Sequence, residues 1–213
     1  MSEVQFWTDF YAKQSAQVPS EPSSFATFVW DHICSDSDDS KRLLDLGCGT
    51  ARDSKFFARQ GLQVIGIDQA SSTIERNNAT KGPNETYVLG DVCDITECTD
   101  LDYVYSRFSI HSITKADASR LYQWVARNLK SGGRFFIEAR SINDPLYKLG
   151  TPDPAGDPNA SISGHYRRFI RLDELIQELE TLGFTVVYQC EANNLSVCGN
   201  DNPVLVRVIC ELK

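Results

Sequence analysis

The stretch Leu43–Asp68, LLDLGCGTARDSKFFARQGLQVIGID, constrains the fold more than any other part of the chain. Leu43-Leu44-Asp45-Leu46 reads as a buried parallel strand that runs straight into Gly47-Cys48-Gly49. A helical pattern follows from Ala51 to Arg59, Gly61 stops it, and Val64–Asp68 makes a second strand. Glycines let a ligand approach the backbone, and the helix start offers free N–H groups. Asp68, 21 residues beyond Gly47, can then accept from both hydroxyls of a ribose. The unit is built to hold a nucleoside.

Two kinds of ligand compete for this geometry. A dinucleotide fingerprint, G-x-G-x-x-G, needs a small third residue where Arg52 stands. Asp45, two residues before Gly47, would also face a pyrophosphate with a carboxylate. A cationic amino acid suits that carboxylate instead. The pattern Asp45-x-Gly47-x-Gly49 fits S-adenosylmethionine, whose ammonium Asp45 can hold directly or through water. In this motif the sequence resembles the class I S-adenosylmethionine-dependent methyltransferases, over about residues 40–212. The resemblance implies an α/β, Rossmann-like fold with a seven-stranded, mostly parallel sheet in the order 3-2-1-4-5-7-6. It also implies helices on both faces, capping helices at the N-terminus, and S-adenosylhomocysteine as product.

Composition agrees with one globular unit. The chain has 213 residues, 41% of them apolar, which suits a single domain with a sizeable core, residues 1–39 forming the capping helices. No apolar run approaches the roughly 20 residues of a membrane span. The start, MSEVQFWTDFYAK, lacks the basic-then-apolar build of a signal peptide, so a cytoplasmic protein is expected. A net charge of −8 argues against nucleic acid as the main partner. Seven cysteines (34, 48, 93, 98, 190, 198 and 210) contain no CxxC pair, so free thiols are expected, with neither a zinc site nor a disulfide framework.

Further candidates follow in chain order. Phe6-Trp7 and Phe10-Tyr11 sit at helical spacing, and Ser23–Cys34 reads as a second helix, with a turn at Val18–Pro22 between them. Phe6, Phe25 and Phe28 are expected to cap a sheet edge, and Ser35–Ser40 to form a solvated acidic loop. The resemblance implies that such helices fold over the cofactor, which makes Tyr11 a candidate for its methionine end and Trp7 for the substrate. Gln69, after Asp68, is a further cofactor candidate, and it or a serine would cap the next helix at Ser71–Asn78. After a third strand, Glu85–Leu89, the family pattern places the adenine contacts on Asp91 and Val92. A fourth strand, Asp102–Ser106, carries Arg107 and His111 at its carboxyl end, where ligands sit in open α/β sheets. His111 can take a proton from a hydroxyl as it is alkylated, and Arg107 can hold the cofactor carboxylate. A helix at Asp117–Leu129 and a Ser131-Gly132-Gly133 turn lead to a fifth strand, Arg134–Ala139. Glu138 and Arg140 lie at its end, as substrate-side residues or partners of each other or of Arg107.

The segment 141–169 is expected to be a substrate-side lid, irregular from Ser141 to Gly164. It ends in His165-Tyr166-Arg167-Arg168, whose ring, imidazole and guanidinium groups suit an oxygen-rich acceptor, with His165 a second candidate base. A helix at Leu172–Leu182 and strands at Phe184–Gln189 and Val204–Cys210 complete the chain. GTARDSKFFARQG, YSRFSIHSI, GHYRRF and DNPVLVRV are also similar to small glycan-modifying methyltransferases, including enzymes of large DNA viruses that act on rhamnose-type sugars. That similarity implies O-methylation of a sugar or oligosaccharide hydroxyl, in the host cytoplasm for a viral enzyme. No cluster of metal ligands stands out, so metal independence is expected. A phosphonate, carboxylate, amine or thiol acceptor, and a silent cofactor-binding domain, remain the alternatives.

Overall fold

The computed structural model describes residues 3–14, 21–33, 40–95 and 98–213. Most of the turn expected at 18–22, Cys34 and residues 35–39 of the acidic loop lie outside the described residues. The chain runs α1 (Glu3–Gln14), α2 (Ser24–Ile33), β1 (Arg42–Leu46), α3 (Arg52–Arg59), β2 (Gln63–Asp68), α4 (Ser71–Ala79) and β3 (Glu85–Leu89). Next come β4 (Leu101–Arg107), α5 (Lys115–Asn128), β5 (Leu129–Arg140) and three short strands, β6 (Thr151–Pro152), β7 (Ala160–Ser163) and β8 (His165–Arg168). The chain closes with α6 (Leu172–Thr181), β9 (Phe184–Ala192) and β10 (Leu205–Leu212).

Alternation along β1 sets the layers. Leu43 and Leu44 point to opposite faces, and both are fully buried, so the strand reads as an unbroken apolar run. On one face Leu44, Leu46 and Ile137 pack against Leu121 and Val125 of α5 and Leu179 of α6. On the other, Leu43, Tyr105 and Phe136 pack against Phe25 and Val29 of α2 and Phe57 of α3. Phe25 therefore covers a sheet face rather than an edge. Phe28, from the same helix, reaches the edge strand β9, its ring 4.9 Å from that of Tyr188.

Seven strands pair in the order β3-β2-β1-β4-β5-β10-β9. The first five are mutually parallel, and β10 runs antiparallel to both β5 and β9. Numbered within this sheet alone, the order is 3-2-1-4-5-7-6; the higher labels arise because β6–β8 form a separate antiparallel sheet. The expected irregular stretch 141–164 is thus partly ordered, although its strands are too short to leave a period-2 signal in the sequence.

Three local expectations change. α5 begins at Lys115, because the Thr114 hydroxyl accepts from the Asp117 N–H at 3.1 Å and caps the first turn. Ser131-Gly132-Gly133 is a bulge inside β5 rather than a turn before it, for the pairing jumps from Leu101 with Leu129 to Tyr103 with Arg134. α4 is capped by neither a serine nor Gln69. Its N-cap is Ala70, whose N–H donates to the Asp68 carboxylate at 2.9 Å.

One buried tie had no local sequence signal. The Asp53 carboxylate accepts from the Ser23 N–H at 2.7 Å, the Ser23 hydroxyl at 2.7 Å and the Tyr105 hydroxyl at 2.8 Å. It fastens the start of α3 to the N-cap of α2 and to β4. Among the described residues no helix is long and apolar enough to cross a membrane.

Candidate active site

The site opens at the carboxyl ends of β1 and β2. Gly47 and Cys48 both donate N–H to the Ile67 carbonyl, at 2.8 and 2.9 Å, which turns the chain sharply after β1. Gly47 and Gly49 take φ of +72° and +49°. A Cβ on Gly47 would lie 2.5 Å from Ser109 Oγ, and one on Gly49 would lie 2.6 Å from Tyr11 Oη. Glycine takes both positions without strain, whereas a side chain would have to displace the Ser109 hydroxyl or the Tyr11 phenol. Asn77 on α4 holds the turn from behind, donating Nδ2–H to the Gly49 carbonyl at 2.8 Å.

Ala51 occupies the left-handed N-cap of α3, with φ 62° and ψ 19°, and is fully buried. That conformation costs alanine about 1–2 kcal/mol. Ala51→Gly relieves it, but gives up about 0.8 kcal/mol of methyl burial and about 0.4–1 kcal/mol of chain entropy. The expected net change in unfolding free energy is within about 1 kcal/mol. Ala51→Val, β-branched and overpacked at positive φ, is expected to cost at least about 2 kcal/mol by urea denaturation.

Two carboxylates face this turn. Asp45 is 3% exposed, accepts from Ser54 Oγ at 2.5 Å, and has no ion pair among the described residues. Burial pushes its pKa up to about 7; the Ser54 hydroxyl opposes the rise, and the Asp53 and Asp68 charges add to it. Asp68 accepts from the Gly49 N–H and the Ala70 N–H, each at 2.9 Å. Burial raises its pKa as well, against the pull of those amides. Each Asp68 oxygen keeps a second lone pair for a hydroxyl donor. Tyr11 lays its ring over the turn from α1, and its phenol is pushed far up by burial and then by Asp68, Cys48 and Asp45. Gln69 is half-buried beside Asp68. Asp91 and Val92 follow β3 on the same rim; Asp91 is exposed, and one of its oxygens accepts from the Cys93 N–H at 2.9 Å.

At the ends of β4 and β5 the structure sorts the charged candidates. Glu138 is fully buried, and both its oxygens are taken by the protein. Arg107 Nε donates at 3.0 Å, Arg207 Nε at 2.7 Å, and the Ser196 hydroxyl lies 3.0 and 3.1 Å from the two oxygens. Glu138 is thus a clamp between β4 and β10, with its oxygens bonded inside the protein. Its partner Arg107 stacks over the Phe108 ring at 4.4 Å. Arg140 pairs with Asp144 at 2.9 Å and with Asp201, so it meets neither Glu138 nor Arg107, and its two terminal nitrogens are engaged. Arg168 donates to the Ile113 and Ile110 carbonyls at 3.3 and 3.2 Å and braces the 3-10 turn Ile110–Ser112, which carries His111.

Neither imidazole is a free base. His111 Nδ1 accepts from the Arg140 N–H at 3.2 Å, so its proton sits on Nε2. Burial and then Arg167 hold its pKa well below the ordinary value. His165 Nε2 lies 3.0 Å from Arg167 Nη2; a guanidinium only donates, so the imidazole proton sits on Nδ1. Burial, Arg167 and Arg140 push its pKa down to about 4. The Phe6 ring stacks on His165 at 4.4 Å and Trp7 meets its edge at 5.1 Å, so α1 packs on β8 as well as on the glycine turn. Alternation along β8 puts Tyr166 and Arg168 on the face opposite His165 and Arg167. The Tyr166 hydroxyl is buried and, among the described residues, has no hydrogen-bond partner. No group of three or more metal-ligating side chains occurs among the described residues.

Comparison with known proteins adds the family frame. Residues 43–133 match the family described as Methyltransferase domain. A solved S-adenosylmethionine-dependent methyltransferase from Listeria monocytogenes superposes with a TM-score of 0.67 at 20% identity, over 88% of this chain and 99% of its own. The fold is that of the class I methyltransferases. A glycopeptide N-methyltransferase solved with S-adenosylmethionine bound gives a TM-score of 0.66 at 18% identity, over 90% and 95% of the two chains. An uncharacterized methyltransferase from a Synechocystis species is 30% identical over 98 residues, 46% of this chain. The present chain spans only 46% of that curated relative's own length.

Proposed function

We propose that this chain is an S-adenosylmethionine-dependent methyltransferase whose acceptor is a hydroxyl oxygen of a small sugar-like molecule, free or within an oligosaccharide. The observation that carries the cofactor half is Asp45, a buried carboxylate without an ion pair among the described residues, set beside a tight turn of two positive-φ glycines. An amino-acid ammonium supplies the missing charge, and Asp68 one strand away suits the ribose hydroxyls. Tyr11, Gln69, Asp91, Val92 and Arg107 line the same rim and complete the cofactor set. When bound, S-adenosylmethionine supplies a methyl group on a sulfonium that leaves as a neutral thioether.

The acceptor half rests on the wall of Phe6, Trp7, His165 and Arg167, where aromatic faces alternate with hydrogen-bond donors. Aromatic and donor groups together suit a polyhydroxylated ring. Residues 141–169 serve as its substrate-side flap. Because neither imidazole offers a free lone pair, the histidine-base mechanism expected from the sequence gives way to catalysis by alignment. His111 Nε2–H orients the acceptor as a donor, and the alkylated oxygen releases its proton to water. Holding oxygen and methyl in line can contribute several kcal/mol by itself. No step calls on a metal ion.

The test is calorimetry with S-adenosylmethionine and S-adenosylhomocysteine, followed by transfer of labelled methyl to a panel of sugars. Heat with both compounds, and acceptor-dependent release of S-adenosylhomocysteine, are expected. Binding without turnover on any hydroxylated acceptor would turn the reading to a cofactor-binding domain, and absence of binding would end it.

A further inference from the structure

Arg167 stands out among the cations of the site. Its Nε is buried without a hydrogen-bond partner among the described residues, and its Nη2 meets only the neutral His165 ring. No carboxylate pairs with it among the described residues, whereas Arg140 beside it takes both Asp144 and Asp201. Arg168 is spent on the Ile113 and Ile110 carbonyls. Arg140, Arg167 and Arg168 all act on the His111 ring, while Asp144 and Asp201, the carboxylates that act on Arg167, are bonded to Arg140, within a chain whose net charge is −8. A buried guanidinium N–H left unpaired is costly, and the usual remedy is an anion.

His111 points the same way. β8, which carries Arg167, packs against the 3-10 turn that carries His111, and Arg167 is the charge that acts most strongly on its ring. Its Nε2–H is a second donor, and among the described residues nothing accepts from it. Two unspent donors, Arg167 Nε–H and His111 Nε2–H, thus meet at the carboxyl ends of β4 and β5, next to the aromatic wall from α1.

We propose that the acceptor carries an anionic group, a carboxylate or a phosphate ester, that accepts from Arg167 Nε–H and from His111 Nε2–H. The inference rests on the methyltransferase reading above and narrows its acceptor to an acidic or phosphorylated sugar-like molecule. The anion anchors the acceptor, while a hydroxyl elsewhere on it meets the methyl group.

The probes are inorganic phosphate and malonate, titrated calorimetrically into protein saturated with S-adenosylhomocysteine, with sodium chloride at matched ionic strength as control. The wild type is expected to bind at least one of them above that control. Arg167→Gln is expected to weaken the binding at least tenfold. Arg167→Lys keeps the charge but not the Nε donor, and should fall between. Thermal unfolding of each variant confirms that it is folded, and the S-adenosylhomocysteine titration reports the cofactor site separately. Phosphate alone assigns a phosphorylated acceptor and malonate alone a carboxylate. Equal binding by wild type and Arg167→Gln, or no binding above the chloride control, overturns the proposal. Failure of S-adenosylhomocysteine to bind would instead remove the methyltransferase reading, and the anion titration on ligand-free protein would still read Arg167.

Discussion

Glu138→Ala is expected to lower the unfolding free energy by about 3–5 kcal/mol, the range for removing one partner of a buried ion pair. The carboxylate is fully buried and joins Arg107 on β4 to Arg207 on β10, with Ser196 closing the set. Truncation leaves both guanidinium groups facing a hole. Arg207 also lies 5.2 and 5.1 Å over the rings of Phe25 and Phe28, so its displacement loosens α2. Total stabilities of single domains are about 5–15 kcal/mol, so the variant should sit near the edge of folding. Glu138→Gln keeps the shape and one acceptor oxygen, and should cost less than alanine. Urea unfolding with an unchanged slope checks the size of the effect. A loss below about 1 kcal/mol for Glu138→Ala would mean that the two cations find water, and that the clamp contributes little.

That clamp also marks what the amino-acid sequence hides. Leu43–Asp68 was legible because its information is local: a strand buried on both faces reads as an apolar run, and glycines punctuate the turn that follows. The strand order followed from the resemblance that this unit carries. Partners far apart in the chain leave no such trace. Glu138 meets Arg207 across 69 residues, and Asp53 meets Ser23 and Tyr105 across 30 and 52. The state of the histidines was hidden for the same reason. Their residue type marked them as bases, but their tautomers are fixed by the Arg140 main chain and the Arg167 side chain. The apolar alternation that finds a strand says nothing about which lone pair of an imidazole is already spent. Arg167 was visible as a cation, whereas its lack of a direct ion pair among the described residues became apparent only when Asp144 and Asp201 went to Arg140.

Asp45→Asn should separate stability from function with opposite signs. In the ligand-free protein burial holds the Asp45 carboxyl at about 7, against about 4 for an unfolded aspartate. Between those values the folded state keeps a proton that the unfolded state has lost. Folding stability at this site is therefore complete below pH 4 and is lost as pH rises through 7, by up to about 4 kcal/mol. A bound ammonium favours the ionised form. Cofactor affinity should accordingly rise by up to tenfold per pH unit below 7 and level off above it. The groups facing the carboxylate are Ser54, Asp53, Asp68 and Arg107, and only Ser54 and Arg107 favour its charge. Asparagine preserves the acceptor for the Ser54 hydroxyl but cannot ionise. At pH 8 the variant should be at least as stable as the wild type in urea, yet bind S-adenosylmethionine about 10–100-fold more weakly, the 1.4–2.7 kcal/mol typical of a charge-assisted hydrogen bond. Its affinity should also lose most of its dependence on pH between 6 and 8. A wild-type affinity that stays flat over that range would show that Asp45 is already ionised before the cation arrives, and the stabilisation expected of asparagine would disappear with it.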